Sequence, residues 1–149
     1  MNDRITIRQM KSGDVDEVAK LGITTKELQI DNDNFMYYQP KDILRALRSK
    51  TELCLVATNG VNLAGYFLAH LNTVFNEVYI SDLVVKPEYR GQGIGQKLMN
   101  EARMILTERN IDWSWALVQE DNYPMHKFMD KQGYKKGKGF FFFYKPSGF

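Results

Sequence analysis

One stretch limits the architecture of this chain more than any other. Val78-Tyr79-Ile80-Ser81-Asp82-Leu83-Val84-Val85 is followed by Lys86-Pro87-Glu88 and then by Tyr89-Arg90-Gly91-Gln92-Gly93-Ile94-Gly95-Gln96. The first run is β-branched and aromatic and predicts a strand. Pro87 cannot continue a central ladder, so the strand stops there. Ile94, Leu98, Ala102 and Ile105 then fall on one face of a helix. Three glycines within five residues disfavour a helix interior, but they open φ > 0 and let a ligand approach the main chain. Strand, glycine loop and helix together can aim unpaired N–H groups and the positive end of a helix dipole at one phosphate cluster. Two other phosphate motifs fail on spacing. Gln96-Lys97-Leu98 stands where a P-loop needs Gly-Lys-Ser/Thr, and the third glycine of G-x-G-x-x-G would fall on Gln96.

The flanking segments supply further elements. Arg4 to Arg8 alternates as a first strand, and Ser12-Gly13-Asp14 offers helix-start chemistry ahead of the stripe Val15, Val18, Ala19, Leu21. Pro40 suits the first turn of a second helix holding Ile43, Leu44 and Leu47. Glu52 to Thr58 and Asn62 to Leu71 read as a hairpin about Asn59-Gly60. Asp112 to Gln119 reads as a strand, with Trp113, Trp115 and Leu117 on one face. Asn122 can cap a helix running to Gln132 that Gly133 ends. Tyr134 to Lys145 predicts a terminal hairpin whose aromatic run, Phe140 to Tyr144, is buried on both faces or at an interface such as that of a homodimer. The order is β-α-α-β-β-β-α-β-α-β-β, an α/β (α+β) chain.

At 149 residues this is one domain, 1–149, long enough to bury a core. Lys+Arg 20 against Asp+Glu 18 is too balanced to argue for nucleic acid. No apolar run spans a membrane, and Met1 to Arg4 is not followed by a signal-peptide core. The single cysteine, Cys54, sits in an apolar run and reads as a buried hydrophobe in a reduced compartment. The expectation is a cytoplasmic protein, and no metal site is assigned.

Arg90-Gly91-Gln92-Gly93-Ile94-Gly95 resembles the Arg/Gln-x-x-Gly-x-Gly/Ala signature of the GNAT family of N-acetyltransferases. A second family region resembles Asn122-Tyr123-Pro124-Met125 through Gln132-Gly133-Tyr134. The resemblance implies a mixed, mainly antiparallel central sheet with helices on both faces. It also implies acetyl-coenzyme A as cofactor. By the same resemblance the pyrophosphate lies on the loop of Arg90, Gly91, Gln92, Gly93, Ile94, Gly95 and Gln96. The pantetheine arm pairs with exposed main chain along Leu83, Val84 and Val85, where two strands splay apart. Asn122 and Phe128 complete the implied cofactor contacts.

The implied reaction is attack of a neutral amine on a thioester. An alkyl ammonium has a reference pKa of about 10.4, so the site must accept a proton and desolvate the amine. Tyr79, Glu77 and Asp82 are the catalytic candidates, Asp82 on condition that a β-bulge breaks the strand's alternation. In an unbroken strand Ser81 shares the face of Tyr79 instead. His70, near a strand end, is a lesser candidate. Many family members carry a tyrosine where this chain has Met129, which cannot donate a proton to a leaving thiolate. A non-catalytic acyl-coenzyme A-binding regulatory module is therefore the rival reading to an enzyme acting on a primary amine of a small molecule, an amino acid or a protein. Asp31, Asp33, Tyr37 and Tyr38 offer an acidic, aromatic mouth for a cationic amine.

Overall fold

The computed structural model describes residues 4–31 and 37–145, so Asp33 of the expected mouth lies outside the described residues. The chain divides into two compact units, Met1–Leu117 and Val118–Phe149. The first is built on a five-stranded sheet in the order β1-β2-β3-β4-β5. Its strands are β1 (Ile5–Gln9), β2 (Glu52–Asn59), β3 (Asn62–Asn72), β4 (Glu77–Val85) and β5 (Trp113–Ala116). The first four pair antiparallel, and β5 joins β4 in parallel. This is the mixed, mainly antiparallel sheet expected.

Each sheet face carries helices. Under α1 (Val15–Thr24) and α2 (Pro40–Ala46) lies a buried cluster that includes Val15, Val18, Ile43, Cys54, Val56, Tyr66, Leu68 and Val84. We call this the front face. Along β2 and β3 the alternate residues Leu55, Phe67 and Ala69 point to the back. Helix α3 (Ile94–Glu108) packs against the sheet and buries Ile94, Leu98, Met99, Ala102 and Leu106. The buried stripe runs one residue past the predicted Ile105, which is only half-buried.

Two irregularities shape β3 and β4. The register of β3 on β4 shifts between Leu68 and Ala69, so Leu68 faces Asp82, Ala69 faces Ile80, and Ser81 is the extra residue of a bulge. The expected bulge is therefore present. It brings Asp82 onto the front face with Tyr79 and Glu77. Further along, Gly65 sits opposite Val85. A Cβ built at Gly65 would lie 2.6 Å from the Val84 carbonyl oxygen and 3.2 Å from Val85 Cα. Only glycine lets β3 approach β4 this closely.

In the second unit, α4 (Tyr123–Lys131) starts where the Asn122 side chain accepts from the Met125 amide at 3.2 Å. It ends as predicted at Gly133 with φ +85°. There the Tyr134 amide donates to the Met129 carbonyl and the Gly133 amide to that of Asp130, a Schellman arrangement. The expected terminal hairpin is absent. Residues 134–145 form no strand, and Phe141 is 91% exposed. The run has strong strand propensity, but no described segment pairs with it, and propensity without a ladder does not make a sheet.

Gly65→Ala should destabilise the fold by about 1–3 kcal/mol through overpacking against β4. Urea unfolding checks this, and an unchanged midpoint would show that β3 and β4 can separate to admit a methyl group.

Candidate active site

The site begins where β4 loses a neighbour. β5 accompanies β4 only from Glu77 to Ile80, and past Ala116 no described strand pairs with that side. The Lys86 amide donates to the Ala64 carbonyl on β3 at 2.9 Å. Alternation then turns the main-chain groups of Val84 and Asp82 toward β3 and those of Leu83 and Val85 toward the open side. The Val85 carbonyl accepts from Arg90 Nε at 3.0 Å. This leaves the Leu83 amide and carbonyl and the Val85 amide along a fork between β4 and β5. Val84, by contrast, turns its side chain into the front core.

The glycine loop closes the end of the fork. Gly91 and Gly93 have φ of +74° and +76°, and a Cβ at either would meet nothing within 4 Å. Gly93 caps α3, whose first residue, Ile94, is fully buried and anchors the helix start. Among the described residues the amides of Gly91, Gly93, Ile94 and Gly95 donate to no main-chain carbonyl. The first such bond of the turn runs from Lys97 to the Gly93 carbonyl. An exposed cradle of free N–H groups at the positive end of a helix fits a diphosphate. Arg90 does not point into this cradle. Its guanidinium braces the loop against Val85 and reaches Glu27 Oε1 at 3.5 Å. Gln96 turns its amide to Asn100 at 2.9 Å.

On the front face beside the fork, Asp82 is 4% exposed and accepts from the Tyr66 hydroxyl at 3.0 Å. Burial pushes its carboxyl up to about 6, and the Tyr66 hydrogen bond opposes that rise. Burial raises the Tyr66 phenol in turn, helped by the charge of Asp82. Tyr79 is raised too, by burial first and then by Tyr38 and Asp82. It is a neutral phenol at pH 7, with its ring 4.4 Å from that of Trp115. Tyr38 is raised by burial against an opposing hydrogen bond with Ser81. Glu77 stands on the same face at the start of β4, paired with Asn72 and Trp113. The structure thus brings Tyr79 and Asp82 together, with Glu77 farther from the fork. Tyr66 was missed by the sequence reading, because nothing in a strand of mixed residues announces which hydroxyl will face a carboxylate on the next strand, 16 residues away. Asn122 and Phe128 lie on the second unit, Asn122 as the cap of α4 and Phe128 within it.

The model of the family described as Acetyltransferase (GNAT) family matches residues 22–134. This chain belongs to the GNAT family. A Bacillus subtilis protein provisionally named a ribosomal protein bS18-alanine N-acetyltransferase is 25% identical over 137 residues, covering 92% of this chain and 85% of that protein. The thialysine N-epsilon-acetyltransferase of Sus scrofa is 24% identical over 139 residues, covering 76% and 79%. Among solved structures, the PaiA N-acetyltransferase of Thermoplasma acidophilum in complex with coenzyme A has a TM-score of 0.77 at 25% identity, covering 89% of this chain and 90% of that one. This GNAT protein is an acetyl-coenzyme A-dependent N-acetyltransferase that acts on an amine. Relatives named for that activity favour the enzyme over a non-catalytic binding module. No helix among the described residues is long and apolar enough to cross a membrane.

Two expectations follow from this geometry. Gly93→Val places a branched side chain at φ +76°, which costs about 1–2 kcal/mol of stability and projects into the cradle. Calorimetry should show coenzyme A affinity lower by about tenfold or more in a protein that still unfolds cooperatively, and normal binding would move the diphosphate elsewhere. For Asp82, the folded carboxyl titrates at about 6 against an ordinary 3.8. Stability is therefore full below the lower value and falls as pH rises through the upper one, by at most about 3 kcal/mol. Asp82→Asn should flatten this slope in urea midpoints between pH 4 and 7.

Proposed function

We propose that Asp82 is the proton acceptor of the acetyl transfer, with Tyr79 and Tyr38 as neutral phenols that orient the amine and Glu77 as an outer acidic group. The observation that carries this reading is a buried carboxyl with a raised pKa, on the same strand and one residue from the open main chain of Leu83. Acetyl-coenzyme A supplies the acetyl group, whose thioester C–S bond breaks as the N–C bond to the acceptor forms. The glycine loop from Gly91 to Gly95 would hold its diphosphate, and Leu83 and Val85 would pair with its arm. The Leu83 amide, fixed in β4, is a preorganised donor for charge developing on the carbonyl oxygen.

The acceptor enters as an ammonium ion. Front-face burial lowers its pKa so that it sheds one proton to solvent, and the second, released from nitrogen as the N–C bond forms, passes to the Asp82 carboxylate, whose Oδ2 accepts from Tyr66. Above about 6 the carboxylate is ready to take it. Met129 in place of a tyrosine leaves the thiolate to depart without a proton from that position, which a thiol pKa of about 8.5 permits.

The acceptor on this reading is an amine of a small molecule, an amino acid or a protein. On this reading the chain is one domain over 1–149, which the family match across residues 22–134 supports, with Asn122 and Phe128 as cofactor-binding residues. A cytoplasmic location fits the lone buried thiol of Cys54, and a homodimer fits the exposed aromatics of 140–143. Nucleic acid and membrane are not partners on this reading, given the balanced charge.

Thiol release measured with a panel of amines tests the assignment. Asp82→Asn should lower kcat/KM by about a hundredfold or more, with coenzyme A affinity retained. Wild-type kcat/KM should fall as pH drops below about 6. A variant with undiminished turnover would remove Asp82 from the reaction.

A further inference from the structure

Four front-face side chains line up in one row across the sheet just before the fork. The register sets Glu52 of β2 opposite His70 of β3, His70 opposite Tyr79 of β4, and Tyr79 opposite Trp115 of β5. The rings of Tyr79 and Trp115 lie 4.4 Å apart, tilted by 32°. Glu52 Oε1 is 2.5 Å from His70 Nδ1. Tyr38 stands beside this row, hydrogen-bonded with Ser81 and within the field of Asp82, Glu52 and Asp42. Elsewhere α1 and α2 cover the front face. Here the surface is open, with the side chain of His70 57%, Tyr38 41% and Trp115 38% exposed.

The row has a direction. It starts at an aromatic floor beside the fork and ends at a carboxylate on β2. Neighbouring strands lie about 4.8 Å apart, so β4 and β2 are separated by roughly 10 Å. The His70 ring is held on Glu52, and Arg45 lies 3.9 Å from Asp42. Asp82 and Glu77 of β4 add two further carboxyl groups to this face. Aromatic faces attract a cation that has lost part of its water, and a carboxylate at the far end adds a second point of recognition.

We propose that this row is the acceptor platform, and that the acceptor is an aliphatic amine carrying a second cationic group roughly 10 Å from the nitrogen that is acetylated. The reacting nitrogen sits at the fork beside Tyr38 and Asp82, the chain crosses Tyr79, and the second cation meets Glu52. The inference rests on the acetyltransferase reading of the fork. A peptide α-amine brings no fixed second cation to that distance and uses only the near half of the platform.

The test is calorimetric titration of the full chain loaded with coenzyme A, where no acetyl group is present to transfer. The probes are a linear terminal diamine of seven carbons, the monoamine of equal length, and a short peptide with a free N-terminal alanine. The diamine should bind about tenfold tighter than the monoamine. Glu52→Gln should bring that ratio near one. His70→Ala, which frees the carboxylate of its imidazole partner, should raise it. If the Glu52–His70 pair were merely structural, both variants would lower the ratio alike, and that result would overturn the proposal. Equal binding of diamine and monoamine by the wild type, or tighter binding of the peptide, would overturn it as well. A diamine preference that persists while no amine is turned over would count against the catalytic assignment and leave this recognition site standing.

Discussion

The unpaired side of β4 beyond Ile80 is the constraint from which the rest of the site follows. A central strand normally satisfies its amides and carbonyls on both sides, and an unmet buried group costs about 1–3 kcal/mol. Here β5 stops at Ala116, and Arg90 takes up only the Val85 carbonyl. The remaining groups of Leu83 and Val85 stay available because they open onto a fork, where a bound arm can complete the ladder by strand addition. Had β5 run on to Gln119 as its composition suggested, the same groups would have been paired and the fork closed.

The bulge at Ser81 does the second piece of positioning. One extra residue turns Asp82 onto the face of Tyr79, and the antiparallel pairing with β3 puts the hydroxyl of Tyr66 against it. Burying a carboxyl this deeply opposes folding once it ionises. The fold tolerates that cost because the rest of the front cluster, from Val15 to Val84, is apolar and close-packed. A carboxyl placed for stability alone would sit at the surface with a cationic partner, as Asp14 does with Arg8 at 2.7 Å.

The relatives divide the molecule in the same way. One is named for the alanine of a ribosomal protein and another for thialysine, yet both match this chain over most of its length. A shared fold and cofactor loop therefore leave the acceptor open. On the front face Tyr38, His70 and Trp115 meet solvent.

Much of this was legible in the residues themselves. Pro87, the spacing of Gly91 and Gly93, and the stripe from Ile94 specify strand, loop and helix, since each is a local choice of φ, capping or periodicity. Asn59-Gly60 set the hairpin, and Asn122 and Gly133 set both ends of α4, for the same reason. The aromatic run from Phe140 misled, because strand propensity is realised only when a partner edge is present. The tertiary structure alone decided where β5 leaves β4, which residue bulges, and that Tyr66 would meet Asp82. Those outcomes depend on register between segments far apart in sequence, and a shift of one residue there turns every side chain to the opposite face.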